Sequence, residues 1–147
     1  MGAHLGKLLE AGDVVWLAGD LGAGKTTLSA GIGQGWGTPD PLTSPSFVII
    51  HQHERPRDKT RLYHIDAYRL PHPEAADSLG LDDILEAEHV VLIEWAERIS
   101  TWLPPHYLKV SMTMHPDDER YRQLIFEATG QRYQELLEAL RKAIFGV

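Results

Sequence analysis

The chain has 147 residues, a length typical of one domain, and its formal net charge is −7. This acidic balance argues against tight direct binding of nucleic acid, which depends on basic side chains that neutralise phosphates. The absence of cysteine excludes disulfides and cysteine-ligated zinc, and no apolar run approaches the roughly 20 residues that span a bilayer. We therefore expect a single cytoplasmic domain that covers residues 1–147.

The first half of the chain predicts a strand, a helix and a hairpin. A short apolar run predicts a buried strand at Val14–Ala18, and a helix is expected at Thr26–Trp36, ended by glycines. Prolines mark Thr38–Ser46 as a loop. The strands expected at Phe47–His53 and Arg61–Ile65 are joined by a polar connection, which is typical of an antiparallel pair.

The second half predicts two short helices, three strands and a closing helix. The short helices are expected at Pro73–Leu79 and Asp82–Ala87, and an apolar stripe predicts the last helix from Gln131. Three strands are predicted: His89–Glu94, Tyr107–Met114 and Arg122–Ala128. The last two alternate apolar and polar residues, so we expect them to pair. This order favours an α/β fold with three layers and a mixed parallel and antiparallel sheet.

The turn between the first strand and the first helix matches the phosphate-binding loop of P-loop NTPases. Gly19 is followed by four residues and then by Gly24, Lys25 and Thr26, in the spacing G-x-x-x-x-G-K-[ST]. Backbone N–H groups of such a loop surround phosphate oxygens, and glycines leave room for them. The lysine contacts the β- and γ-phosphates, and the hydroxyl is a ligand of Mg²⁺. The residues between the two glycines are expected at the same site: Asp20, Leu21, Gly22 and Ala23.

Two acids lie near predicted strand ends. Glu94 closes the strand "VVLIE", the expected position of a Walker B acid that serves the attacking water or the metal, because ligands in open α/β sheets collect at the carboxyl ends of strands. Asp66, in "HIDAYRL", cannot be told by itself from an ordinary acid in a turn. The segment Thr43–Phe47 is either a proline turn or a switch loop whose hydroxyls sense the γ-phosphate.

Other signatures argue against alternative sites. The sequence contains no asparagine, so the Asn-Lys-x-Asp motif with which G proteins recognise guanine is absent. His51 and His53 share a strand face that His64 and His106 could approach, but no His-x-x-x-His spacing accompanies them. We therefore expect polar or packing roles for these histidines.

The order of five short motifs resembles one bacterial family. "GDLGAGKTT", "SPSF", "YHIDAYRL", "LGLDD" and "LIEWAE" follow one another as in the TsaE family of ATPases for tRNA threonylcarbamoyladenosine biosynthesis. The resemblance covers roughly residues 5–114. Two features depart from the family pattern: Ser46 stands where threonine is usual, and the first strand lies so close to Met1 that a missing or shortened initial segment is expected.

The resemblance implies an ATPase that binds ATP and Mg²⁺ and works with the protein subunits of a threonylcarbamoyl transferase complex, which modifies an adenosine beside the tRNA anticodon. It implies contact with tRNA only through that complex, and no role at a membrane. It places Thr27 in the phosphate loop beside Lys25 and Thr26. The implied catalytic residues are Lys25, Asp66 and Glu94; the implied metal ligands are Thr26, Asp66 and Glu94; the aromatic residue implied at the nucleotide site is Trp95.

Two other functions stay open on the residues alone. A P-loop kinase of small molecules uses the same loop, and "HERPRDKTR" could serve as its arginine-bearing lid. A nucleotide switch would need occupancy rather than hydrolysis. Arg69 and Arg98 are candidates for an arginine finger, which a partner could equally supply, so we expect slow hydrolysis by the isolated chain.

Overall fold

The computed structural model describes residues 1–19, 24–40, 42, 50–72 and 74–146, with only the backbone described at Arg69. Within these ranges the chain forms α-helices, strands and two 3₁₀ segments. The helices are α1 Gly2–Leu8, α2 Lys25–Trp36, α3 Ala75–Ser78, α4 Leu81–Glu86 and α5 Gln131–Phe145. The strands are β1 Val14–Gly19, β2 Ile50–His53, β3 Leu62–Asp66, β4 Val90–Glu94, β5 Leu108–His115 and β6 Asp118–Ala128. The 3₁₀ segments are Ala67–Arg69 and Ala96–Trp102.

The strands form one mixed sheet in the order β2-β3-β4-β1-β5-β6. The inner strands β3, β4, β1 and β5 are parallel, whereas β2 and β6 pair antiparallel at the two edges. A parallel strand buried on both faces is almost continuously apolar, as in β4, where all five residues are buried and the first four are apolar. The predicted α/β fold with a mixed sheet is confirmed, as are the predicted antiparallel pair of β2 and β3 and the predicted pairing of β5 with β6.

Helices cover both faces of this sheet and make the three layers. Val15 and Leu17 of β1 pack with Leu28 and Ile32 of α2, in a hydrophobic cluster that α1 and α5 complete. Val14 belongs to a second cluster, formed with α3, α4 and the 3₁₀ segments. Successive residues of β1 thus serve opposite layers, as the two-residue period of a strand requires.

Helix α1 was not predicted, and it packs closely on α2. A Cβ on Gly6 would collide with the carbonyl oxygen of Ile32, and one on Gly35 with that of Ala3. The glycines within α2 therefore allow α1 to pack closely, whereas the glycines before α2 belong to the proposed phosphate loop. One sequence pattern could have indicated this contact between helices: glycines four residues apart occur in both α1, at Gly2 and Gly6, and α2, at Gly31 and Gly35.

A polar cluster fixes the start of β1 to α5. Asp13 accepts two hydrogen bonds from Arg132, from Nε at 2.9 Å and from Nη2 at 2.6 Å. This pairing raises the pKa of the Arg132 guanidinium. The backbone N–H of Val14 donates to the hydroxyl of Tyr133 at 2.8 Å, and burial raises the pKa of that phenol. These hydrogen bonds hold the amino end of β1 against α5, while its carboxyl end, at Gly19, precedes the glycine-rich segment of the sequence.

Several sequence expectations differ in detail from the structure. Strand β6 begins at Asp118 rather than Arg122, and Met114, which the alternation of the strand places on one face with the buried Met112, is 46% exposed. The 3₁₀ segments that follow Asp66 and Trp95 were not predicted. Most of the predicted loop at 38–46, the switch segment at 43–47 and the start of the strand at 47–53 lie outside the described residues. No helix in the described part of the chain has the length and apolar character to cross a bilayer.

Candidate active site

The carboxyl ends of three neighbouring parallel strands meet at one edge of the sheet. Gly19 ends β1, Asp66 ends β3 and Glu94 ends β4. In the register of these strands, Glu94 is the Cα partner of Asp66 on one side and of Leu17 on the other. Helix α2 begins at Lys25, six residues after the end of β1. The structure therefore places the lysine and the two acids that the sequence proposed at the same edge of the sheet.

Both acids also lie on the face of the sheet that α2 covers. Residues two apart on a strand share a face. Leu62 and Leu92 belong to the hydrophobic cluster beneath α2. Asp66 follows Leu62 by four residues and Glu94 follows Leu92 by two, so both carboxylates continue this face toward the strand ends.

The described ends of the loop need glycine. Gly19 has φ +146°, and a Cβ there would collide with the carbonyl oxygen of Met112. Gly24 has φ +100° in the left-handed region and precedes the first residue of α2, which no side chain of the described residues caps. The first N–H groups of α2 therefore have no side-chain acceptor among the described residues, and N–H groups at this end of a helix suit an anion. The predicted loop residues Asp20, Leu21, Gly22 and Ala23 lie outside the described residues.

Lys25 is buried, and its ammonium lies between a carbonyl and an aromatic ring. Its Nζ donates to the carbonyl oxygen of Gly19 at 2.7 Å and lies 4.3 Å from the centroid of the Trp95 ring. Trp95 is the one non-glycine residue in the described part of the chain with positive φ, at 60°. A bulky residue in this conformation is strained, and such strain clusters at functional sites.

Each acid has a defined hydrogen bond. Oδ1 of Asp66 accepts from the backbone N–H of Tyr68 at 3.1 Å, which places the acid at the start of a 3₁₀ turn. The Tyr68 ring packs on Trp95 with centroids 5.0 Å apart. Oε2 of Glu94 lies 2.7 Å from Nε2 of His64. His64 was not proposed as a site residue, although its spacing of two from Asp66 puts both on one strand face.

The remaining candidates differ in what surrounds them. Thr26 and Thr27 are exposed in the first turn of α2. Arg98 donates from Nη2 to the carbonyl oxygen of Leu70 at 2.8 Å, and its guanidinium lies 6.0 Å from the Tyr68 ring. This arginine is thereby held against the turn after β3. The Arg69 side chain lies outside what the structure describes.

The donor atoms suit a small hard cation. The hydroxyl of Thr26 and the carboxylates of Asp66 and Glu94 are oxygen donors, which Mg²⁺ prefers. No group of three or more histidine, cysteine, aspartate or glutamate residues within the described ranges is arranged to hold a metal. Mg²⁺ usually takes one or two carboxylates together with water and substrate phosphates. The residues present therefore fit a magnesium site that a phosphate substrate would help to complete.

The other histidines lie apart from the acids. The His51 and His53 rings lie with centroids 6.2 Å apart on β2. Burial lowers the pKa of His53, and the nearby His64 and His51 lower it further. The His106 ring packs against Gly130, where a Cβ would be 2.8 Å from the imidazole.

The strand order, together with the sequence pattern G-x-x-x-x-G-K-T between β1 and the N-terminus of α2, defines the P-loop NTPase fold. The chain belongs to the TsaE family, whose model, described as "Threonylcarbamoyl adenosine biosynthesis protein TsaE", matches residues 1–124. The family resemblance noted in the sequence is confirmed.

Relatives and a solved structure agree with this assignment. The chain is 40% identical to the tRNA threonylcarbamoyladenosine biosynthesis protein TsaE of Bacillus subtilis, over 90% of this chain and 80% of that protein. It is 47% identical to the Streptomyces coelicolor protein of the same name, over 66% of each. The crystal structure of Bacillus subtilis YdiB superposes with a TM-score of 0.77 and 35% identity, over 97% of this chain and 86% of that one.

Proposed function

We propose that the protein is a Mg²⁺-dependent ATPase that serves tRNA threonylcarbamoyladenosine biosynthesis, where hydrolysis drives or resets a partner transferase. The observation that carries the ATPase proposal is that Lys25, Asp66 and Glu94 lie at one edge of the sheet, beside an N-terminus of α2 that no side chain of the described residues caps. The names of the TsaE relatives support the biosynthetic role.

Lys25 binds the phosphates in this proposal. Its ammonium is buried, and its described partners are a carbonyl oxygen and an aromatic face, neither of which carries a full negative charge. A triphosphate would therefore be a stronger partner, since a charge-assisted hydrogen bond in a site sheltered from water exceeds both contacts. The loop N–H groups and the α2 dipole add to the same attraction.

Glu94 serves the attacking water. Among the described residues His64 is the one hydrogen-bond partner of this carboxylate, and it occupies Oε2. Oε1 is then the oxygen that accepts a proton from water, while the water oxygen bonds to the γ-phosphorus and the bond to the β-phosphate oxygen breaks, giving ADP and phosphate. Thr26, Asp66 and Glu94 would hold Mg²⁺. That ion would supply positive charge to the phosphate oxygens.

Protein partners fit the charge of the chain better than free RNA does. The net charge of −7 gives little general attraction to a polyanion. The one arginine finger candidate whose side chain is described, Arg98, is held by the Leu70 carbonyl. We therefore expect slow turnover alone and faster turnover with the transferase subunits, which would contribute the tRNA contacts.

The purified chain should hydrolyse ATP slowly, lose this activity when EDTA removes Mg²⁺, and show higher turnover when the transferase subunits are added. The test is to measure phosphate release from ATP and from GTP, each with Mg²⁺ present and after its removal by EDTA. The same reactions are analysed by mass spectrometry with small hydroxyl compounds present. A phosphorylated acceptor would instead support a kinase, and tight ATP binding without turnover, alone and with partners, would support a switch.

A further inference from the structure

His64 and Glu94 form a buried pair directly below the strand ends of the candidate active site. The His64 side chain is 0% exposed and that of Glu94 is 6% exposed, with Nε2 and Oε2 2.7 Å apart. In the parallel register the Cα partner of His64 is Leu92, two residues before Glu94. The Glu94 carboxylate therefore reaches diagonally back across the sheet to β3.

The surroundings of the His64 ring favour a proton on Nε2 over a proton on Nδ1. Its Nδ1 is buried and has no hydrogen-bond partner in the described part of the chain. A proton on Nδ1 would be a buried donor without an acceptor, and Nε2 would then have no proton to give to the carboxylate. A proton on Nε2 satisfies the carboxylate and leaves only a lone pair on Nδ1.

A hydrogen-bond donor on Oε2 stabilises Glu94, which has another acid next to it in the sheet. Asp66 is its direct Cα partner on β3, and two neighbouring carboxylates repel each other. A residue that only filled this space would be apolar, like Leu62 and Ile65 on the same strand. An imidazole instead adds a hydrogen bond at a chosen oxygen.

We propose that His64 is a positioning residue for Glu94: its Nε2–H holds Oε2, and this fixes the rotamer in which Oε1 meets the attacking water. The inference rests on the proposed ATPase function, in which Glu94 receives the proton of that water. A base oriented by a third group is a general arrangement in enzymes, and loss of such an orienting partner typically costs about 10–100-fold in activity.

Two substitutions at His64 separate orientation from packing. His64→Leu fills the space but cannot donate, so kcat should fall about 10–100-fold. His64→Gln carries an amide N–H near the position of Nε2 and should keep kcat within roughly fivefold of wild type. Both should leave the Kd for ATP within about twofold, because in the described part of the chain no hydrogen bond joins His64 to Lys25. His53→Leu, on the half-buried edge strand β2, is the matched control and should retain wild-type kcat.

A spectroscopic measurement on the nucleotide-free protein tests the hydrogen bond itself. Long-range ¹H–¹⁵N correlation should show His64 protonated at Nε2 and bare at Nδ1, and Glu94→Gln should shift the Nε2 resonance. A His64 ring protonated at Nδ1 would overturn the proposal, and so would a wild-type kcat in His64→Leu. The proposal would also fail if His64→Gln lost as much kcat and as much thermal stability as His64→Leu, because the amide would then restore nothing. Wild-type protein without ATPase activity would overturn the proposed function instead, while the spectrum still decides whether His64 donates to Glu94.

Discussion

Glu94→Gln should lower kcat for ATP hydrolysis by about 10²–10⁴-fold and leave the Kd for ATP within a few-fold of wild type. This loss corresponds to about 3–5 kcal/mol of activation free energy. The amide has the shape of the carboxylate, and its oxygen can still accept the hydrogen bond of His64, but it cannot take a proton from water. Single-turnover hydrolysis with excess protein, together with an equilibrium ATP titration, separates the two effects.

Glu97→Gln is the matched control, because Glu97 is an exposed acid three residues further along the chain. It should retain wild-type hydrolysis and binding. A wild-type rate in Glu94→Gln would contradict the role of Glu94 as the base. If Glu94→Gln binds ATP, does not hydrolyse it and still supports tRNA modification in the full complex, hydrolysis is dispensable and the protein acts as a switch.

Lys25→Met should weaken ATP binding by about 30-fold to several thousand-fold, which corresponds to about 2–5 kcal/mol. The γ-phosphate and β-phosphate would lose a buried positive charge, whereas the methionine side chain keeps much of the apolar contact with Trp95. Because the lysine of a P-loop contacts the β- and γ-phosphates, the affinity for AMP should change far less than that for ATP. Isothermal titration calorimetry with both nucleotides measures the difference.

Lys7→Met, at the exposed end of α1, is the control for charge removal and should bind ATP as the wild type does. An equal loss of affinity for AMP and ATP in Lys25→Met would indicate a collapsed site rather than a lost phosphate contact. Unchanged ATP affinity would place the triphosphate away from Lys25.

Much of the site follows from short-range sequence signals. The apolar runs of β1 and β4 are long enough to mark buried parallel strands, and Glu94 and Gly19 stand at their carboxyl ends. Since the carboxyl ends of neighbouring parallel strands share one edge of a sheet, the glycine loop and the acid were expected to meet there. Asp66 could be chosen over an ordinary turn acid only through the family resemblance.

Three features of the structure depend on tertiary contacts and could not be predicted from short-range sequence signals. Helix α1 has seven residues, two of them glycine, so its own helix propensity is low and its stability depends on packing against α2. The contact of His64 with Glu94 depends on the register of β3 and β4, which no local pattern specifies. The left-handed backbone of Trp95 contradicts the usual preference of a bulky side chain, and only the fold reveals it.

The most direct test is a crystal structure with Mg²⁺ and a non-hydrolysable ATP analogue. The triphosphate should lie in the turn between β1 and α2, with the Lys25 ammonium moved from the Gly19 carbonyl to phosphate and with Asp66 and Glu94 facing the terminal phosphate. A nucleotide bound elsewhere, or a triphosphate in this turn with both carboxylates directed away from it, would contradict the proposed active site.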